Sequence, residues 1–178
     1  QGLRDISGRS NMEAVVIRSP LVYGPGVGGN FRSLLGLCSR GWPLPLAAID
    51  NRRSLIYVGN LAAAIDAVLE APGAAGKTWL VGDGRDVSTA ALIGGISQAL
   101  DRAGMPGHRP RLWPLPPALL RLAAALSGKS AAASRLFGDL CLDDGAIRRD
   151  LGWTPPFSMV QGLQATADWF AAESKEGK

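Results

Sequence analysis

Ala14-Val15-Val16-Ile17-Arg18-Ser19-Pro20-Leu21-Val22-Tyr23-Gly24-Pro25-Gly26 is the stretch whose reading decides the fold. Residues 14–17 form a short aliphatic run rich in β-branched side chains that stops against two prolines and a glycine pair. A run that is apolar at every position and bounded by Pro and Gly reads as a strand buried on both faces, the kind found in parallel sheets. Ligands of open α/β sheets sit just outside the carboxyl ends of the strands, so residues 19–31 are expected to floor a binding crevice. Gly24-Pro25-Gly26-Val27-Gly28-Gly29 also satisfies the spacing GxGxxG, with Asp50 about 20 residues further on. Pro25, however, removes an N–H from the loop that would cradle a pyrophosphate. Gly-Pro-Gly is better read as a type II turn with Pro25 and Gly26 at its central positions.

Outward from this stretch, Asn30 is expected to cap a helix carrying Phe31, Leu34, Leu35 and Cys38 on one face and closing at Gly41. Residues 44–46 and 54–58 read as extended segments, the first limited to an edge by Pro45. Asn60 is expected to cap a helix over 61–71, stopped by Pro72-Gly73, and 78–81 reads as another buried strand. Ser88 or Thr89 opens a helix that runs to Gly104. Residues 1–11 read as the tail of a helix, and further helical pieces are predicted at 118–126 and 144–150. The last helix has Ser158 and Gln161 in capping-box spacing and a stripe of Met159, Leu163, Ala167 and Phe170, with residues 173–178 as a frayed tail. Alternating strands and helices predict an α/β protein with a mostly parallel sheet. Two or three core strands are fewer than such a sheet normally needs.

With 178 residues and 47% apolar side chains the chain has enough material for one core. Its formal charge of +4 is scattered, which argues against a nucleic-acid footprint. No apolar run approaches a membrane span. The start, Gln1-Gly2-Leu3-Arg4, has no initiator Met and no signal pattern, which fits a chain cut from something longer. Cys38 and Cys141 lie far apart in apolar surroundings and read as buried free thiols in a reducing cytoplasm. His108 is the only histidine, so a metal cluster or a Ser-His-Asp triad lacks partners. The five tryptophans, at 42, 79, 113, 153 and 169, read as core or lid anchors.

Five pieces carry a resemblance: Arg18-x-x-x-x-Tyr23-Gly24-Pro25-Gly26; Asn30-Phe31; Arg53-Ser54-Leu55-Ile56-Tyr57-Val58-x-Asn60-Leu61-Ala62; Leu151-Gly152-Trp153-x-Pro155; and a closing helix. In this order they resemble the carboxyl-terminal portion of the extended short-chain dehydrogenase/reductase family, whose members include NAD-dependent nucleotide-sugar epimerases and dehydratases. The resemblance implies the last strands of a Rossmann-like parallel sheet plus a small mixed α/β substrate-binding domain. Residues 1–29 would end the NAD-binding domain, and 30–178 would form the substrate-binding domain, with 61–81 returning a helix and a strand to the sheet. The family's catalytic Tyr-x-x-x-Lys pair is absent: Tyr23 and Tyr57 are followed four residues on by Val27 and Leu61. No catalytic residue and no metal ligand is therefore assigned.

What the resemblance implies for single residues is as follows. Ser19, Pro20 and Tyr23 would lie beside the nicotinamide of NAD, a cofactor held mainly by the family's amino-terminal half. Leu21 stands where relatives often place an Asn that touches the sugar or phosphate. Asn30 and Phe31 would begin a helix holding the nucleotide diphosphate, where a helix dipole favours an anion. Arg53 would grip that diphosphate, because a guanidinium fork matches it bidentately. Arg135 would be a second clamp. Asn60, in place of a common Asp, is read as structural. The chain is thus expected to be the substrate-binding portion of a cytoplasmic enzyme of polysaccharide biosynthesis acting on a UDP-sugar or similar nucleotide-sugar, and inactive in isolation. The alternative is a non-catalytic module that binds a nucleotide-sugar or forms oligomers through an exposed sheet edge.

Overall fold

The computed structural model describes residues 12–105, 112–116, 118 and 138–176. Strand β1, Val16–Arg18, is the predicted apolar run, and it pairs in parallel with β4, Thr78–Leu80, in the register Val16↔Thr78 and Arg18↔Leu80. A second strand follows after two residues. Leu21–Tyr23 (β2) pairs in parallel with Leu55–Tyr57 (β3), Leu21 opposite Leu55. The chain therefore crosses at Ser19-Pro20 from one two-stranded sheet to another and returns to the first only at β4. The sequence reading has Leu21–Tyr23 as loop; three residues between Pro20 and Gly24 are too few to show a period.

Five helices complete the described elements: α1 Gly29–Ser39, α2 Val58–Glu70, α3 Thr89–Arg102, α4 Gly145–Leu151 and α5 Met159–Glu176. The Gly24–Val27 turn takes the form expected of it. Gly26 sits at φ 81° and the Val27 N–H reaches the Gly24 carbonyl at 3.1 Å. Gly24 itself is at φ 148°, and a Cβ there would lie 2.4 Å from a Val58 methyl, so packing against α2 accounts for this glycine without any phosphate. Ser88 caps α3 through the Ala91 N–H at 3.1 Å. Gly152, at φ 64°, stops α4.

The parallel strands β2 and β3 are sandwiched between two apolar cores because their side chains alternate across the sheet. Tyr23 and Leu55 point into a core shared with Phe31, Leu35, Ile93, Ile96 and Leu163 under α1, α3 and α5. Val22 and Ile56 point into the opposite core, with Val68, Trp79, Ile147 and Trp153. The Ser158–Gln161 capping box is formed, the Ser158 N–H donating to Gln161 Oε1 at 2.8 Å.

Several expectations are corrected. Asn60 does not cap α2; the helix starts two residues earlier at Val58, and the Asn60 side chain is buried and engaged elsewhere. Asn30 is likewise inside α1, whose cap residue is Gly28. Residues 173–176 are helical rather than frayed, since Glu173 is held by Arg32 at 2.9 Å, with the same guanidinium 5.4 Å from the Trp169 ring. Cys38 is buried but Cys141 is exposed. Trp79 and Trp153 are core, while Trp42 and Trp113 are exposed. The predicted helical pieces at 1–11 and 119–126, and His108, lie outside the described residues.

Candidate functional site

Strand β1 ends at Arg18, and the residues leaving it, Ser19 and Pro20, are exposed and half-buried. Leu21 and Leu55 open the parallel pairing of β2 and β3, so Ser19 and Arg53 each lie two residues before the start of their strand. Leu21, opposite Leu55, is 41% exposed. Arg53 is held on both sides. Its backbone N–H and carbonyl exchange hydrogen bonds with Val87, both at 3.0 Å. On the other flank Leu140 donates to the Arg52 carbonyl at 2.9 Å and accepts from the Ser54 N–H at 2.8 Å. The Arg53 backbone is thus fixed at both edges, and the residue is half-buried.

Arg135 lies outside the described residues. The segment just after it is tied alongside Arg53: the Arg52 N–H donates to Asp139 Oδ1 at 2.8 Å, and Asn51 Nδ2 reaches the Gly138 carbonyl at 3.4 Å. An open groove of about 630 Å³ adjoins this region, with Arg52 and Arg85 beside an apolar floor that includes Val87, Met159 and Leu163.

Toward the far end of β2 lies a different group. Tyr23 is buried and stacked on Phe31, ring centroids 5.4 Å apart, and its hydroxyl donates to Asp83 Oδ2 at 2.9 Å. Burial, then the neighbouring Asp83 carboxylate, raises the Tyr23 phenol far above its ordinary range and keeps it neutral. Asp83, in the loop leaving β4, also accepts from the Tyr57 N–H at 2.9 Å and from Asn60 Nδ2 at 2.7 Å. Asn60 in turn exchanges hydrogen bonds with the backbone of Phe157, both at 2.9 Å. Tyr23 and Phe31 are thus brought together as core, and the first turn of α1 exposes Asn30 above them. Sequence reasoning missed Asp83. Its place in Gly82-Asp83-Gly84, just past a strand, was the available pointer.

Among the described residues no group of three or more His, Cys, Asp or Glu could hold a metal ion. None of their helices is long and apolar enough to cross a membrane.

The chain resembles, in sequence and in fold, the NAD-dependent epimerases and dehydratases of the extended short-chain dehydrogenase/reductase family. In particular, it is 41% identical over 164 residues to UDP-glucose 4-epimerase of Vibrio cholerae, covering 90% of this chain and 48% of that protein. The match falls on the carboxyl-terminal half of the relative. Among solved structures it is similar to UDP-glucose 4-epimerase of Thermotoga maritima with UDP-glucose, at a TM-score of 0.65 and 20% identity, over 97% of this chain and 50% of that one. It is also similar to UDP-glucuronic acid 4-epimerase of Bacillus cereus in complex with NAD, at a TM-score of 0.64 and 17% identity, over 99% and 50%. The chain spans about half the length of the curated relatives it matches. No family model matches it.

Proposed function

We propose that the chain supplies the substrate-binding portion of an NAD-dependent nucleotide-sugar epimerase, dehydratase or reductase, and that its ligand is a nucleotide-diphosphate sugar. The observation that carries this reading is the 41% identity with an epimerase along 90% of the chain. Arg53 grips the diphosphate with a preset guanidinium, assisted by Arg135. At the other end of β2, the amides of the first turn of α1, at Asn30 and Phe31, offer a second anion contact to the same nucleotide-sugar. Leu21 faces the sugar as an apolar neighbour.

NAD, held mainly by the other half of such an enzyme, supplies hydride transfer when bound. Ser19 and Pro20 fit a place beside it, being accessible at the carboxyl end of β1. The Tyr23 hydroxyl is engaged by Asp83, so this residue serves the cofactor side by fixing the strand that follows Pro20. Without Tyr-x-x-x-Lys the chain has no proton-transfer pair of its own and is silent alone. The setting is a cytoplasmic pathway of polysaccharide precursors.

Calorimetric titration with UDP-glucose tests the reading. Binding is expected, weakened about tenfold to a hundredfold by Arg53→Ala. No binding of any UDP-sugar, or binding indifferent to Arg53→Ala, would sink it.

A further inference from the structure

Arg53 stands in the middle of a small three-segment array that lies outside both sheets. It bridges Val87 in the antiparallel sense on one side and Leu140 in the parallel sense on the other. One bridge on each flank is far shorter than an ordinary strand pairing, so backbone bonds alone hold this segment weakly.

Two polar side chains reinforce it. Asn51 and Ser54 are 3% and 6% exposed, so each needs partners inside the protein. Each finds one on both flanks. Asn51 Oδ1 accepts from the Thr89 N–H at 2.9 Å, and its Nδ2 donates to the Gly138 carbonyl at 3.4 Å. The Ser54 hydroxyl donates to Asp86 Oδ1 at 2.6 Å and accepts from the Leu142 N–H at 2.8 Å. These cross-links lie two residues before Arg53 and one after it. The flanks are anchored in turn: Thr89 opens α3, whose Ile93 and Ile96 enter one core, and Leu142 leads to α4, whose Ile147 enters the other. The segment cannot slide or twist without leaving buried groups of Asn51 or Ser54 unpartnered, which costs more than a formed bond contributes.

We propose that Asn51 and Ser54, with Asp86 as the acceptor for Ser54, are positioning residues. They set the backbone that bears Arg53, and through it the affinity of the site for a diphosphate. This rests on the reading of Arg53 as the diphosphate grip.

The test is calorimetric titration of the chain with UDP-glucose and with inorganic pyrophosphate. Asp86 is exposed, so its variants should fold. Asp86→Asn and Asp86→Ala remove the same charge, but only the first keeps an oxygen for the Ser54 hydroxyl. Asp86→Ala is expected to bind both ligands about threefold to tenfold more weakly than Asp86→Asn. Ser54→Ala and Asn51→Ala are expected to weaken binding by a similar factor in the unsubstituted chain. On top of Arg53→Ala, each should change it by less than about twofold, because each acts through that residue. Equal affinities for the two Asp86 variants would overturn the proposal, as would losses from Ser54→Ala and Asn51→Ala that persist undiminished on Arg53→Ala. Should either of those two variants fail to fold, the Asp86 pair still decides. Pyrophosphate binding without binding of any UDP-sugar would overturn the nucleotide-sugar reading and leave positioning to be judged by pyrophosphate; binding of neither ligand sinks both.

Discussion

Asp83, half-buried, and Asn60, buried, show how much one polar pair can hold. Asp83 joins Tyr23 of β2, the Tyr57 backbone and Asn60, while Asn60 joins α2 to the loop before α5. Asn60→Ala leaves the Phe157 N–H and carbonyl without their side-chain partner and removes one of the two donors to Asp83 Oδ1, the Tyr57 N–H remaining, with an expected loss of about 2–4 kcal/mol in urea unfolding. Cys38 offers a second residue-level test. Burial pushes its thiol up to about 11, against a smaller lowering by Ser97. The folded state therefore binds this proton more tightly than the unfolded one, so its contribution is whole below about pH 9 and is lost as the pH climbs toward 11. Unfolding free energy should fall by about 2–3 kcal/mol across that window, and Cys38→Ala should flatten part of the fall; a profile unchanged by the substitution would refute this. The burial of Cys38 was legible from its place on the apolar face of its helix, but the Asp83–Asn60 network was not. Asn60 reads as a helix cap because Asn before an apolar run usually is one, and only the approach of Phe157, 97 residues away, gives it another task.

At the scale of elements, long amphipathic helices were legible and short strands were not. The spacing Leu92, Ile93, Ile96, Ala99 and Leu100 places α3 without ambiguity, and all five are buried. Leu21–Tyr23 carries no period, and its pairing with β3 comes from residues 34 positions away. Helix α5 holds a glycine that the stripe alone does not explain. Gly162 faces the tyrosines, and a Cβ there would lie 2.8 Å from the Tyr23 hydroxyl and 2.9 Å from the Tyr57 ring. Gly162→Ala should therefore destabilise the protein by about 1–3 kcal/mol, although alanine is the better helix former; a rise in the thermal midpoint would show that the tyrosines give way.

At the scale of the whole molecule, α/β class and parallel pairing were legible because strand and helix periods alternate along the chain. The candidate site was legible only in its cations and helix start. Arg53 stands out as a residue type, but its bridging between Val87 and Leu140 is a property of register with segments 34 and 87 residues away. Register depends on distant partners and cannot be seen in either strand alone.

The two sheets also share the chain in an interleaved order, β1 in the first, β2 and β3 in the second, β4 back in the first. No single cut of the polypeptide can hand one sheet over whole while leaving the other intact. A gene split or a protease nick between β1 and β4 would leave both sheets with one strand on each fragment or strip a partner from one of them. Inheritance of the β2–β3 sheet is therefore tied by topology to inheritance of β1 and β4, and the two sheets should travel through recombination as one block.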